Sequence, residues 1–238
     1  METLTPKGPN KQAVEEMFDN IARSYDAINT LLSFGVDGRW RRGLIKRVAA
    51  QGPVEILDLA AGTGEMTVGL AKALPSGHIT AADLSEGMLG VAAKKIARQG
   101  LQQRVSLCVA DAEALPFEDE RFDCATLVFG IRNFSAPARA LEELYRTCKS
   151  GAVVYIMEFG KPSKGLFATL YRLYQHTVMP FVGGLLSGKW RAYRYLPASI
   201  ESFASRVDVA GLMSQAGFRQ VTTTLLTRGV AKLYIGQK

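Results

Sequence analysis

Two rhythms of apolar positions alternate along the chain. Apolar runs at Val54–Leu59, His78–Leu84, Val105–Asp111, Phe122–Phe129 and Ala152–Phe159 read as strands, the first of them buried. Between them apolar residues recur at helical spacing: Met66, Val68, Leu70, Ala71 and Leu74 after the first run, and Leu141, Leu144 and Tyr145 before the last. Ser85 is placed to N-cap a helix over Ser85–Arg98, and Pro137 opens another that Ser150-Gly151 ends. Strands that alternate with helices predict a parallel sheet with right-handed crossovers. Two further runs, Phe218–Leu226 and Val230–Ile235, are joined only by Thr227-Arg228-Gly229. So short a link makes a hairpin, which predicts that the last two strands are antiparallel.

Two helical stretches lie outside this alternation. Val14, Met17, Phe18, Ile21, Tyr25, Ile28, Leu31 and Leu32 predict one or two amphipathic helices after a mobile tail of residues 1–11. Arg39–Val48 (RWRRGLIKRV) is a basic helix, either a solvated face or a surface for anionic lipid head groups. Residues 161–215 form an insertion before the hairpin, and its stretch Gly165–Leu186 is strongly apolar and aromatic, broken by Pro180 and Gly183-Gly184. It reads as a lid, as a segment dipping into a membrane interface, or as an ordinary pair of core helices. Trp190 with Lys189, Arg191 and Arg194 carries the chemistry of a head-group contact. On this pattern residues 1–48 are a tail and helices covering a crevice, and residues 49–238 are the sheet domain with its helical lid.

The candidate chemistry lies at the strand tips. The first strand carries Asp58 near its end and runs into the small-residue turn Ala60-Ala61-Gly62-Thr63-Gly64. This is the strand–glycine turn–helix opening of a nucleotide-binding fold. The turn is a poor phosphate cradle, because the dinucleotide fingerprint needs a third glycine where Thr67 stands, and no P-loop pattern is present. An acid before G-x-G suits a ligand with an adenosine and a cationic amino acid but no phosphates, which is S-adenosylmethionine. Asp83 ends the second strand, where an acid meets ribose hydroxyls, and Asp111-Ala112 ends the third, where a carboxylate can accept from an adenine amino group. Five alternating units closed by an antiparallel pair match the α/β, Rossmann-like, seven-stranded sheet of the class I methyltransferases that use this cofactor.

Composition narrows the picture only a little. A net charge of +7 permits nucleic acid, an anionic membrane or an acidic ligand without choosing among them. Cys108, Cys124 and Cys148 form no Cys-x-x-Cys, which fits buried thiols in a reducing compartment. Two histidines and no cysteine cluster predict no metal. The polar N-terminal stretch METLTPKGPNK lacks the apolar core of a signal peptide, and no run of about 18 apolar residues predicts a membrane span.

The residues resemble one family closely, the ubiquinone/menaquinone biosynthesis C-methyltransferases. The stretches that carry the resemblance are FDNIARSYDAINTLLSFGVDGRW from Phe18, DLAAGTGE, DLSEGML from Asp83, DAEALPF from Asp111, GIRNF from Gly130, MEFGKP from Met157, YRYLPASI from Tyr193, Ala216-Gly217-Phe218 and LTRGVAKLYIGQK at the end. The chain departs from the family at Asp37, where a histidine is usual, and at Lys189-Trp190-Arg191, where acids are frequent. The resemblance implies S-adenosylmethionine as cofactor, held by Asp58, Gly62, Thr63, Gly64, Asp83, Leu84, Met88, Asp111, Ala112 and Val128. It implies a polyprenyl quinol as substrate, either demethylmenaquinol or the benzoquinol precursor of ubiquinone. It also implies a cytoplasmic enzyme that visits the inner face of the membrane transiently, with a homodimer as a further expectation.

A quinone ring is electrophilic, so the nucleophile must be a quinol that has lost a hydroxyl proton. Arg132 and Asn133, at the tip of the fourth strand, are the expected stabilisers of that phenolate, with Tyr25 and Tyr195 as donors and water carrying the proton away. An ion pair with a neighbouring acid is the alternative for Arg132, and His176 is read as structural. Two rival functions use the same cofactor site. A nucleic-acid methyltransferase would carry [DNS]-P-P-[YFW] where this chain has Gly130-Ile131-Arg132-Asn133, so no nucleic-acid partner is expected. A non-catalytic assembly subunit would carry a damaged cofactor site, and this one is complete.

Overall fold

The computed structural model describes residues 9–22, 24–162 and 165–238. Most of the expected tail, residues 1–8, lies outside this range, as does the Arg191 side chain. Residues 10 and 11 are not tail. Asn10 caps the first helix, α1 (Lys11–Ile21), by accepting from the Ala13 amide at 3.1 Å. The remaining N-terminal residues form α2 (Tyr25–Leu32) and the basic helix α3 (Val36–Ala49).

Strands and helices then alternate, except that a loop joins β3 to β4: β1 (Glu55–Leu59), α4 (Glu65–Ala73), β2 (His78–Asp83), α5 (Glu86–Arg98), β3 (Val105–Val109), β4 (Phe122–Val128), α6 (Pro137–Thr147) and β5 (Cys148–Phe159). Ser85 does cap α5, accepting from the Met88 amide at 3.0 Å. The chain closes with β6 (Arg219–Leu226) and β7 (Ala231–Gln237). The sheet order is β3-β2-β1-β4-β5-β7-β6. The pairs among β1 to β5 are parallel, and β7 is antiparallel to both neighbours. The order reverses beside β1, so the tips of β1 and β4 open the crevice where such sheets bind ligands. One core fills each face of the sheet, around Leu57, Leu127 and Ile156 on one side and Ile56, Leu70 and Tyr155 on the other.

Helix α6 ends earlier than Ser150-Gly151 suggested. Thr147 turns its hydroxyl back to the Glu143 carbonyl at 2.9 Å, and buried Cys148 pairs with Phe122 as the start of β5. The expected insertion holds α7 (Leu166–His176), α8 (Val178–Ser187), α9 (Trp190–Arg206) and α10 (Val209–Gln215). Val209 and Met213 of α10 pack into the sheet core, while α7 to α9 pack against the N-terminal helices, and of these four helices only α9 lines the two cavities described below. Gly183-Gly184 is not a break in α8. A Cβ on Gly183 would lie 2.3 Å from the Tyr193 ring, and one on Gly184 would lie 2.3 Å from the Trp190 ring. These glycines let α9 close down on α8. A third, smaller core joins α1 and α2 to α8 and α9 through Ile21, Ile28, Leu32, Met179 and Tyr193, with Met88 of α5 beneath it.

Candidate functional site

Asp58 is buried at the end of β1, where Thr67 Oγ1 donates to one carboxylate oxygen at 2.5 Å and Thr126 Oγ1 to the other at 2.8 Å. Burial pushes its pKa up to about 6 against those two bonds. Asp83 ties β2 to the glycine turn by accepting from the Gly62 amide at 2.7 Å and the Ser85 amide at 2.9 Å. Burial raises its pKa too. Gly62 has left-handed backbone (φ 56°) and nothing within 4 Å of where a Cβ would sit. The backbone there lies open to the adjoining cleft. Ala60 and Phe129, at the tips of β1 and β4, also hold left-handed backbone at φ 54° and 60°. That conformation is strained for residues with side chains, and such strain concentrates where ligands bind.

These tips border a cleft of about 1060 Å³, counted out to its open mouth. Every expected cofactor residue lines it except Gly64. Gly64 serves the turn instead: it leads into α4 at φ 78°, and a Cβ there would meet the Ala92 Cβ at 3.0 Å. The opposite wall comes from α1 and α2. Lys11 Nζ donates to Asp111 at 2.5 Å and to Glu113 at 3.0 Å, and Asp26 accepts from Thr63 at 2.5 Å and from Lys95 at 2.6 Å. Asp111, the expected adenine acceptor, is therefore already held by the N-terminal helix.

A second cavity of about 600 Å³ adjoins the cleft, and Phe18, Tyr25, Arg41 and Phe129 line both. Its walls are largely aromatic, and the Phe129 and Phe159 rings stack with centroids 4.3 Å apart. One guanidinium sits against each ring, Arg41 5.3 Å from the Phe129 centroid and Arg132 5.4 Å from that of Phe159. Tyr25, Arg132 and Tyr195 line this cavity, while Asn133 lines the cleft and accepts from Tyr195 Oη at 3.2 Å. A 3₁₀ turn, Ile131–Asn133, places Arg132 and Asn133 at the β4 tip.

Arg132 forms the ion pair with a neighbouring acid that stood as its alternative reading. Its Nη1 donates to Glu158 at 2.8 Å and to the Phe129 carbonyl at 2.5 Å, with both charged side chains buried. Burial works against its charge, but Glu158 holds its pKa above the ordinary value. Its Nε is buried with no partner, so an N–H donor remains to offer.

Sequence reasoning missed Arg41, Phe129, Phe159 and Glu158 as parts of this site. One signal was available: Tyr25, Asn29, Ser33, Asp37 and Arg41 stand four apart, and all five line the second cavity. The glycine at position 35 hides the stripe by separating α2 from α3. His176 lies outside both cavities, 3.6 Å from Glu201.

Comparison with known proteins decides among the uses of such a site. The model of the ubiE/COQ5 methyltransferase family matches residues 7–238. The chain belongs to this family. It is 44% identical to the demethylmenaquinone methyltransferase of Thermus thermophilus, across 93% of this chain and all of that one. It is 42% identical to the ubiquinone/menaquinone biosynthesis C-methyltransferase UbiE of Syntrophotalea carbinolica, across 94% of each. Among solved structures, a methyltransferase from Methanococcus maripaludis shares the fold with a TM-score of 0.64 and 20% identity, covering 93% of this chain and 94% of that one. The [4+2]-cyclase SpnF shares it with a TM-score of 0.63 and 19% identity, over 98% of each chain.

As a member of the ubiE/COQ5 family the chain is an S-adenosylmethionine-dependent methyltransferase. The cleft fits that cofactor: the open side of Gly62 admits it, and the carboxylates of Asp58, Asp83 and Asp111 suit its ammonium, ribose and adenine amino groups. When bound, it supplies an electrophilic methyl group. Among the described residues no group of three metal-ligating side chains converges, and no helix is long and apolar enough to cross a membrane.

Proposed function

We propose that this chain methylates a ring carbon of a demethylated polyprenyl quinol, demethylmenaquinol or the benzoquinol precursor of ubiquinone. The observation that carries this reading is the second cavity, an aromatic slot with buried polar groups that opens onto the cofactor cleft. Relatives named for demethylmenaquinone and for ubiquinone/menaquinone biosynthesis supply the substrate class.

Ionising a phenol at pH 7 costs about 4 kcal/mol, and donors aimed at the developing phenolate offset part of it. Arg132 Nε and the Tyr195 hydroxyl are those donors in this reading, with Asn133 fixing Tyr195 and Tyr25 standing where the cavities meet. Burial raises the pKa of Tyr25 and of Tyr195, so both stay protonated as donors. Arg132→Lys keeps a cation for Glu158 but loses Nε and the planar fork, so turnover falls while cofactor binding persists. Near-normal turnover would overturn the role.

The substrate's tail calls for an apolar exit. Leu166, Leu170 and Leu173 of α7, and Val178, Phe181 and Leu185 of α8, are exposed at helical spacing, and Phe34 beside them is 79% exposed. Arg39 and Arg42 are exposed on the following turns, as are Lys189 and Arg194 around Trp190. In this reading the face lies on an anionic membrane surface.

Methyl transfer from labelled cofactor to each reduced quinol, with the oxidised quinones as controls, tests the reaction. Product from the quinols alone supports it, and no product from either, with cofactor binding intact, overturns the substrate class. Co-sedimentation with anionic against neutral vesicles tests the membrane face. Absence of lipid dependence, with a dimer in sedimentation equilibrium, would assign that face to a second copy of the chain.

A further inference from the structure

The reaction needs a group to take the phenolic proton, and the side chains around the second cavity differ sharply in their fitness for it. Arg41 and Arg132 are cations. Burial raises the pKa values of Tyr25, Tyr193 and Tyr195, which leaves them protonated. Asn29 and Ser33 are neutral amide and hydroxyl groups. Glu158 does not line the cavity, and it is committed to the Arg132 side chain and to the amides of Arg132 and Phe159. Asp37 is the one carboxylate among the described lining residues.

The hydrogen bonds around Asp37 can be rearranged to accommodate one added proton. Ser33 Oγ lies 2.6 Å from Asp37 Oδ1, and Arg41 Nη1 donates to Oδ2. The Ser33 hydroxyl also lies 3.2 Å from the Thr30 carbonyl. It has a single hydrogen and two acceptors. While Asp37 is ionised, Ser33 donates to it. Once Asp37 is protonated, the new O–H donates to Ser33 Oγ, and the Ser33 hydrogen turns to Thr30. Arg41 keeps its bond to the other oxygen. Neither protonation state leaves a buried group unpaired, which an isolated buried carboxyl could not offer.

We propose that Asp37 is the base of the reaction, taking the phenolic proton of the ring bound in the second cavity. The role holds only if the ring occupies that cavity, as proposed above. The O–H bond breaks toward Asp37, and its electron pair feeds through the ring to the carbon that forms the new C–C bond. The S–C pair stays on sulfur. The methylated carbon then loses its hydrogen to solvent, its C–H pair restores the aromatic ring, and Asp37 returns its proton to the ketone oxygen. One proton is released per methyl transferred. Asp37 takes the place of the water that the sequence reading assigned. Arg41, which borders both cavities, is positioned by the same carboxylate.

The test compares Asp37→Asn, which keeps the shape and loses the base, with Asp37→Glu, which shifts the shape and keeps it. Under the proposal Asp37→Asn loses turnover by about 100-fold or more. The cofactor still binds, the melting temperature falls because Arg41 loses its counter-charge, and Asp37→Glu is the more active variant. An independent readout is binding without cofactor: 1-naphthol donates an O–H, and 1-methoxynaphthalene cannot. Exchanging a charged acceptor for a neutral one lowers the preference for 1-naphthol about tenfold in Asp37→Asn. An unchanged preference, or an Asn variant at least as active as the Glu variant, overturns the proposal. If Asp37→Asn fails to fold, Asp37→Glu decides: retained preference and measurable turnover support the base, and loss of both overturns it. Tyr195→Ala tests the underlying placement separately, because it weakens both probes only if the ring sits in this cavity.

Discussion

The Arg132–Glu158 pair gives the sharpest energetic expectation. Their side chains are 3% and 1% exposed, and Glu158 also accepts from the amides of Arg132 and Phe159. Replacing Glu158 by Leu leaves a buried guanidinium without its counter-charge and two amides without their acceptor. Breaking such a pair from one side costs about 3–5 kcal/mol. At about 2.1 cal/mol/K of unfolding entropy per residue, the whole chain gives about 0.5 kcal/mol per degree. The melting temperature of Glu158→Leu should therefore fall by about 6–10 °C in scanning calorimetry. The double variant Glu158→Leu/Arg132→Met removes both charges, so it should recover at least half of that loss while staying catalytically poor. Single variants melting within about 2 °C of wild type would refute the assigned burial cost. So would a double variant no better than Glu158→Leu, since the penalty would then not come from an orphaned charge.

Asp58 makes apo stability depend on pH. Its folded pKa of about 6 lies above the usual value of 3.8, so the folded state binds the extra proton between them. Stability is full below about pH 4 and declines as pH rises to about 6, by on the order of 3 kcal/mol. Asp58→Asn should flatten that slope in urea titrations across the same range and weaken cofactor binding, and an unchanged slope would count against the burial effect. Gly184→Ala drives a methyl into the Trp190 ring, which should cost about 1–3 kcal/mol and shift the tryptophan emission, whereas unchanged emission would mean that the helices are not so tightly closed. Lys11→Met frees Asp111 and loosens α1 over the cleft, so cofactor should leave faster in stopped-flow displacement. A rate equal to wild type would show that α1 does not hold the door.

The sheet was legible because each parallel strand contains a short apolar run and three strand tips carry an acid that also faces the cleft. The antiparallel closure followed from the shortness of Thr227–Gly229 alone. What escaped depended on partners distant in sequence. Gly183-Gly184 reads as a helix break until the rings of Tyr193 and Trp190 are seen lying on it. Ser150-Gly151 has the composition of a helix stop, yet Thr147 ends the helix first and Cys148 joins the sheet. An ion pair for Arg132 was foreseen as an alternative, but nothing local reveals that its partner is Glu158, on the neighbouring strand. The cofactor residues were readable from a local turn with strand tips in phase. The acceptor cavity was not, since it is assembled from α1, α2, α3, α9 and the tips of β4 and β5.

The small core between the N-terminal helices and the lid bears on how the molecule opens. Met88 is its one described buried member from the sheet domain. Polar contacts at the rim, among them Asp19 with Ser85 and Asp26 with Lys95, add to its hold on that domain. With so few buried contacts to the sheet, this core is expected to open before the strands do. Amide hydrogens of α2 and α8 should then exchange together, well ahead of those in β1 and β4, and faster as salt screens the rim. A molecule with a long hydrocarbon tail has no need to thread a hole in such a protein. Joint exchange of the two caps is the expected sign that such a molecule enters from the side as they lift together.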